Sequence, residues 1–218
     1  MHPTRPRVLH LGRTRFFLPA KHHRASRGGR GPVAPPPAVE IEWFPLDNGC
    51  QTQLTGTEVH ISGISNQDGW GHWNGVETHT DFPPGDFVAE VDMKVARFDG
   101  VGEALVYLQA KSGAGDKVGI LFKPHDAYQL QAWTDPARFA GGVHAFGDEA
   151  TNYHHLKLQY DASTQTATGW VDGTKIGEMQ TPLGGRVQFA LGGNTDRKGM
   201  EIDMTFDHFK LTTAGTTP

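Results

Sequence analysis

Hydrophobic and polar residues alternate along most of the chain from residue 40 onward. The segment DFVAEVDMKVAR (86–97) is typical, because every second residue from Phe87 to Val95 is apolar and most residues between them are charged. A period of two residues is the pattern of a β-strand with one buried face. We therefore predict a strand here with Phe87, Ala89, Val91, Met93 and Val95 facing a core.

The same alternation recurs between glycine-rich or aspartate-rich turns. It is clear in EALVYLQA (103–110), KVGILF (117–122), AYQLQAW (127–133), YHHLKLQYD (153–161) and TATGWV (166–171). The segment VDGTK (171–175) has the Asp-Gly pair that is typical of a tight hairpin. We predict about ten to twelve strands, no helix, and an all-β, two-sheet antiparallel sandwich.

Composition agrees with this prediction and excludes several other classes. The 218 residues include 28 glycines and 14 prolines, which disfavour a helical bundle or coiled coil. No run of about 18 apolar residues is present, so we expect no membrane span. Because Cys50 is the single cysteine, an intramolecular disulfide and a multi-cysteine metal cluster are both excluded.

Charge divides the chain into two parts. Residues 1–39 contain eight of the 20 basic residues and no acidic one, whereas residues 40–218 contain 12 basic and 24 acidic residues. We predict a disordered basic leader with a Pro-rich linker (1–39) and a β-sandwich domain (40–218). Arg13 and Arg15 interrupt the apolar stretches of the leader, so it contains no clear signal peptide. A basic arm for nucleic acid or an anionic surface is the alternative for the leader, while the acidic domain is not expected to bind nucleic acid.

The segment YHHLKLQYDASTQTATGWVDGTKIGEM (153–179) resembles part of a known protein family. Its Tyr-His-His-Leu strand (153–156) and its Val-Asp-Gly ending (171–173) resemble the late strands of concanavalin A-like lectin/glucanase jelly rolls, including laminin-G-like domains. The resemblance extends over approximately residues 40–214 and implies a jelly-roll sandwich. It also implies an exported location, but not one function, because that superfamily contains lectins, glycosidases, lyases and interaction modules.

One candidate site lies in NQDGWGHWNGVETHTDF (66–82), which we predict to be a turn-rich loop between strands. Trp70, His72 and Trp73 provide ring faces and a hydrogen-bonding imidazole for a sugar, and Glu77 is a candidate general acid or base. The alternative is a long loop whose tryptophans fold back onto the core.

A second candidate site is a sheet face rather than a motif. If strands 103–110, 117–123 and 127–133 are neighbours, one surface carries Glu103, Tyr107, Gln109, Gln129, Gln131 and Trp133. Amide groups beside aromatic rings suit the hydroxyl groups and CH faces of a glycan. The alternatives are a solvated sheet face, or a face covered by the 66–82 segment.

Two further motifs follow from the resemblance. EIDMTF (201–206) resembles the catalytic strand of laminarinase/lichenase-type glycosidases, with Glu201 and Asp203 on one face. It departs from that motif because Thr205 or Phe206 stands where the acid/base Glu is required, which favours a plain solvent face. Asp207 occupies the position of an Asp that binds a structural Ca²⁺ in many superfamily members, with the loop Asp47–Gly49 as its partner; the alternative is an Asp that caps a turn.

The sequence therefore predicts polysaccharide or oligosaccharide recognition on the concave sheet of a jelly roll. A glycoside hydrolase or polysaccharide lyase that uses Glu77 and Glu103 is the first alternative, and a laminin-G-like protein-interaction module is the second. No cofactor is required for recognition, and a structural Ca²⁺ ion is compatible with it.

Overall fold

The computed structural model describes residues 41–69, 72–99, 104–123, 127–133, 138–144 and 151–213. The predicted leader and linker (1–39) lie outside this range. The described residues contain no helix long and apolar enough to cross a membrane.

Fourteen strands make up most of the described chain. They are β1 (Trp43–Leu46), β2 (Cys50–Thr55), β3 (Glu58–Ile64), β4 (Trp73–Thr78), β5 (Phe87–Asp99), β6 (Ala104–Ser112), β7 (Lys117–Lys123), β8 (Ala127–Trp133), β9 (Arg138–His144), β10 (His154–Asp161), β11 (Thr166–Val171), β12 (Thr174–Gln180), β13 (Val187–Thr195) and β14 (Glu201–Thr213).

The strands form two seven-stranded antiparallel sheets. Sheet A has the order β1-β4-β13-β6-β7-β8-β9, and sheet B has the order β12-β11-β10-β5-β14-β3-β2. This confirms the predicted all-β, two-sheet antiparallel sandwich. The long strands β5 and β14 pair at the centre of sheet B, and β13 and β6 pair near the centre of sheet A.

The core lies between the two sheets and follows the predicted alternation. Phe87, Ala89, Val91, Met93 and Val95 of β5 are all buried. From sheet A, every second residue of β6, β7 and β8 joins the same core: Val106, Leu108, Ala110, Val118, Ile120, Phe122, Tyr128, Leu130 and Ala132. The intervening residues of these three strands must therefore face away from sheet B.

The Val-Asp-Gly segment has a structural role that its position explains. Asp172 and Gly173 both have positive φ, 49° and 77°, as a tight two-residue hairpin between β11 and β12 requires. The Asp172 carboxylate lies 2.6 Å from Nδ1 of the buried His154 and accepts a 2.8 Å hydrogen bond from the His155 backbone N–H. The predicted hairpin is thus confirmed, and its Asp also fixes the start of β10.

The prediction for residues 66–82 needs correction, because Trp73–Thr78 is not loop but strand β4. It pairs with β1 on one side and with β13 on the other. Two glycine-containing or polar strands, β2 and β9, were also not predicted, so the chain has more strands than expected. Polar Asn74 and glycine Gly75 hide the alternation of β4 from a pattern based on hydrophobicity.

Candidate functional site

The face of sheet A that points away from the core carries most of the predicted site residues. We name this surface the aromatic face and define it by Trp73 and Glu77 (β4), Tyr107, Gln109 and Lys111 (β6), Lys117 (β7), and Gln129, Gln131 and Trp133 (β8). Each of these residues is next to a core residue of its own strand, except Trp73, whose neighbour on β4 is the buried Asn74. The sequence prediction that β6, β7 and β8 are neighbours is confirmed by their registers.

Three aromatic rings form a continuous row across this face. The ring centroids of Trp73 and Tyr107 are 4.5 Å apart, and those of Tyr107 and Trp133 are 5.4 Å apart. The rings are tilted by 40° and 52° relative to each other. The row therefore runs from β4 over β13, β6 and β7 to β8.

The central ring is the most deeply placed of the three. Tyr107 is only 6% exposed, whereas Trp73 and Trp133 are partly exposed at either side of it. Gln109 and Gln131 are also buried, and Gln129 is partly exposed. The face thus has a closed floor of Tyr107 and two amides, with the indoles at its rim.

A glycine on β13 allows the first indole to lie against the sheet. Gly192 pairs with Tyr107 on one side and with Gly75 on the other. A Cβ atom at Gly192 would collide with the Asn74 carbonyl oxygen and would lie 3.0 Å from Cζ2 of Trp73. The φ angle of Gly192, 157°, is also one that side-chain-bearing residues rarely adopt.

Buried hydrogen bonds fix the strand that carries Trp73. The backbone N–H groups of Asn48 and Cys50 both donate to Oδ1 of Asn74, at 2.7 and 3.2 Å. The side-chain amide of Asn48 donates to the Trp73 carbonyl oxygen. These bonds tie the β1–β2 turn to β4 and hold the backbone of Trp73 in place.

Three polar atoms near the row are buried without a hydrogen-bond partner. They are Nε1 of Trp73, Oε1 of Gln131 and Oδ1 of Asn194, which lies opposite Trp73 on β13. Such atoms carry a free-energy cost unless a hydroxyl group or water completes the bond. Together they offer one donor and two acceptors beside ring surfaces.

The ionisable groups of this face determine what chemistry it can perform. Burial raises the pKa of Tyr107 above its usual value; a hydrogen bond from Asn194 opposes this change, and the Glu77 carboxylate adds to it. The phenol is therefore neutral at physiological pH and acts as a hydrogen-bonding group rather than as a base. Glu77 is the acid that the described residues place on the same face.

The remaining sequence-predicted site residues are distributed as follows. His72 precedes β4 and is partly buried, while Trp70 and Glu103 lie outside the described residues. Sequence reasoning did not find Asn194, Gly192, Lys111 or Lys117. The alternation in RVQFALGGNT (186–195) contained the signal for Asn194 and Gly192. Along this strand they are an even number of residues from Ala190, and an odd number from the apolar Phe189 and Leu191, so they lie on the face opposite to those two apolar residues.

The EIDMTF segment lies elsewhere. Glu201 and Asp203 belong to β14 and point away from the core of sheet B, where Arg97 is 3.2 Å from Glu201 and Nε2 of His60 is 2.9 Å from Asp203. Both carboxylates are well exposed and paired with cations or a histidine. They therefore belong to the solvent face of the last strand. This is the alternative that the missing acid/base Glu of the glycosidase motif favoured.

The two halves of the predicted calcium site are not brought together. The loop at Asp47–Gly49 comes directly before β2, whose first residue pairs with Gly63 near the end of β3. Asp207 comes directly after Phe206, which pairs with Val59 near the start of β3. The two parts of the predicted site therefore lie at opposite ends of β3. Asp207 accepts hydrogen bonds from the Thr57 hydroxyl and the His208 N–H. In the described ranges, no group of three or more His, Cys, Asp or Glu side chains is arranged to hold a metal. These residues do not fit a calcium ion that takes six to eight oxygens.

Comparison with known proteins identifies the fold. No protein-family model matches the sequence, and no curated protein sequence matches it significantly. Among solved structures, carbohydrate binding module CBM66 from Bacillus subtilis is similar with a TM-score of 0.55 and 15% identity, covering 78% of this chain and 95% of that one. Bacillus licheniformis β-glucanase is similar with a TM-score of 0.55 and 16% identity, covering 80% of this chain and 92% of that one. The alginate lyase AlgAT5 of polysaccharide lyase family 7 is similar with a TM-score of 0.54 and 11% identity, covering 79% of this chain and 85% of that one. The chain has the concanavalin A-like jelly-roll fold, as its late strands predicted.

Proposed function

We propose that the protein recognises polysaccharide or oligosaccharide chains on the aromatic face of sheet A, the surface that the resemblance equates with the concave sheet. The observation that carries this proposal is the row Trp73–Tyr107–Trp133 with unpartnered buried polar atoms beside it. Ring faces attract the CH groups of sugars, and amides and indole N–H groups bind sugar hydroxyls. The aromatic face carries both kinds of group on one surface.

The dimensions of the row favour a short run of linked sugars over a single sugar. Strands β4 and β8 are four strand spacings apart, but their indoles lean toward Tyr107, and ring-to-ring distances of 4.5 and 5.4 Å place the Trp73 and Trp133 centroids at most about 10 Å apart. A ligand that contacts both indoles must therefore be longer than one sugar ring. The tilt between successive rings suits a chain that twists as it follows the sheet.

The solved structures with this fold give independent support of a coarser kind. The three named above are a carbohydrate binding module, a glucanase and a polysaccharide lyase by name. Their sequence identity to this chain is too low to transfer a substrate. They support a carbohydrate-related role and do not choose between binding and cleavage. An exported location is part of the same proposal and rests on the resemblance alone.

An enzyme is the second candidate, because Glu77 lies on the same face as the aromatic row and its charge acts on Tyr107. Hydrolysis with retention requires two carboxyl groups about 5–5.5 Å apart, one as nucleophile and one as acid. Glu103, the predicted partner of Glu77, lies outside the described residues. Recognition needs no second carboxyl group and is therefore the simpler function for this face.

A laminin-G-like interaction module would need an exposed apolar patch. The large apolar side chains that are well exposed among the described residues are Phe44, Ile64 and Tyr153. They lie on β1, at the end of β3 and before β10, in two different sheets. The aromatic face therefore supports glycan recognition more directly than these three residues support a protein partner.

Tryptophan fluorescence tests the proposal, because two of the three rings in the row are indoles at its rim. The full chain is titrated with soluble oligosaccharides of increasing length from several plant, algal and bacterial polysaccharides. We expect at least one series to change the emission, with affinity rising until the oligosaccharide spans the row. A folded protein whose emission responds to none of them would contradict the proposal.

A further inference from the structure

Two lysines lie directly opposite each other on the aromatic face. Lys111 of β6 pairs in register with Lys117 of β7, and Lys117 pairs with Trp133 of β8. Lys111 also pairs with Gln188 of β13 on its other side. Like charges that face each other on neighbouring strands destabilise a sheet.

No described residue relieves this repulsion. Within the described part of the chain, neither Lys111 nor Lys117 forms an ion pair or a side-chain hydrogen bond. Asp116 lies in the turn between their strands, and the bond described there joins its carbonyl oxygen to the Ser112 N–H. Both lysines are only partly exposed, so solvent screens their charges incompletely.

The basic pair also stands out against the charge of the domain. Residues 40–218 contain twice as many acidic as basic residues. Many of these acids lie on the outer face of sheet B, where Glu90, Asp203 and Glu201 pair with cationic groups or histidine. The aromatic face instead carries Lys111 and Lys117 against the single described carboxylate of Glu77, so basic residues outnumber acidic ones on it, the reverse of the domain as a whole.

The surroundings of the two lysines are those of a ligand site. Trp133 follows Lys117 in the same register row, and Gln131, two residues before Trp133 on the same face, keeps a buried and unpartnered Oε1. Lys111, Lys117 and Trp133 extend over two strand spacings, roughly 10 Å. A sugar ring on the indole would thus place a hydroxyl near Gln131 and a charged substituent near the lysines.

We propose that the ligand is an anionic glycan, with a carboxylate or sulfate group bound between Lys111 and Lys117 and an adjoining sugar ring stacked on Trp133. This inference rests on the proposed function and adds the chemical class of the ligand. An anion turns the repulsion between the two lysines into two charge-assisted hydrogen bonds. A neutral glycan would leave the lysines unpaired.

Matched pairs of polymers test the inference on the full chain. Polygalacturonate is compared with its carboxyl-reduced neutral form, and dextran sulfate with dextran, at about 0.15 M salt, where exposed charges are screened. We expect one charged polymer to bind about tenfold or more tightly than its neutral partner. Preference in the first pair identifies a carboxylate, and preference in the second identifies a sulfate.

Two double variants with the same change in net charge provide the control. Lys111→Ala/Lys117→Ala should lose the preference for the charged polymer, whereas Lys175→Ala/Lys198→Ala, at exposed positions away from this face, should keep it. Because the first variant removes a like-charge pair, its thermal midpoint should not fall. Should it fail to fold, Lys117→Gln alone should still lower the preference.

The outcomes separate the two proposals. Equal binding of charged and neutral polymers would overturn the anionic ligand and leave glycan recognition intact. Equal loss in both double variants would overturn it as well, because the attraction would then be general rather than local. Binding to no glycan of any kind would remove both proposals.

Discussion

The rings of Tyr107 and Trp133 meet although their strands are not neighbours. Tyr107 belongs to β6 and Trp133 to β8, and β7 lies between them, yet the ring centroids are 5.4 Å apart. On β7 the intervening position on this face is Gly119, which pairs with Gln109 and Gln131. The absence of a side chain there leaves room for the indole to lean toward Tyr107.

Replacing Trp133 by alanine should weaken glycan binding without unfolding the domain. Trp133 is partly exposed at the rim of the aromatic row, so its loss removes a ring face and leaves the core intact. We expect an affinity loss of about tenfold or more in a binding titration. The thermal midpoint should change little.

Trp170→Ala is the matched control, because this partly exposed indole lies on sheet B, where the Lys157 ammonium is 4.9 Å from its ring centroid. It should leave binding unchanged. If Trp133→Ala binds as tightly as the unaltered chain, the aromatic face is not the binding surface.

Gly192→Ala should destabilise the protein and displace Trp73. A Cβ atom there meets the backbone of β4 and the edge of the indole, and the φ angle of 157° adds strain. We expect a loss of roughly 2–4 kcal/mol in the free energy of unfolding, measured with denaturant. Gly113→Ala, whose Cβ would meet only ordinary contacts, should stay within about 0.5 kcal/mol. Similar small effects at both positions would show that the close approach of β4 and β13 is not rigid.

The fold could be predicted because buried apolar residues alternate with polar residues along its strands, and this alternation is visible in the sequence. Leu156, Leu158 and Tyr160 of β10 alternate with polar residues and are buried, and the Asp-Gly turn of β11 and β12 requires positive φ angles. Each of these signals is local. The two-sheet arrangement follows, since amphipathic strands can bury one face only against another sheet.

The site could be predicted only in part, because the positions of some of its residues depend on contacts between segments that are far apart in the sequence. Tyr107 and Gln131 were found from strand parity, but β4 was not, since its buried Asn74 is stabilised by backbone N–H groups about 25 residues away. The pairing of Lys111 with Lys117 depends on the length of the β6–β7 turn. The placement of β13 between β4 and β6 depends on contacts across the whole chain.

Cys50 should be unreactive in the folded protein. Burial, together with the charge of Asp47, raises the pKa of its thiol to about 11. Because the thiolate is the reactive form, alkylation at pH 8 should be more than about a hundredfold slower than in the urea-unfolded chain. Comparable rates in the two states would indicate that β2, at the edge of sheet B, opens readily.

Glu90 should contribute stability that is lost in acid. Burial alone would raise its pKa, but the hydrogen bonds and positive charges of Lys210 and His155 hold the pKa below its usual value. The stabilisation is therefore present above the unfolded-state pKa and disappears as the pH falls through the lower folded-state pKa. Glu90→Gln should lower the free energy of unfolding by about 1 kcal/mol or less at pH 7 and by a smaller amount at pH 3. A deficit that is the same at both pH values would refute this assignment.

The central proposal is glycan recognition on the aromatic face, and one experiment addresses it directly. The full chain and Trp133→Ala are run in native gels that contain polysaccharides, and the same mixtures are assayed for new reducing or unsaturated ends. We predict that a polysaccharide retards the full chain, that Trp133→Ala migrates freely, and that no new ends form. Release of such ends, or equal retardation of both proteins, would contradict the proposal.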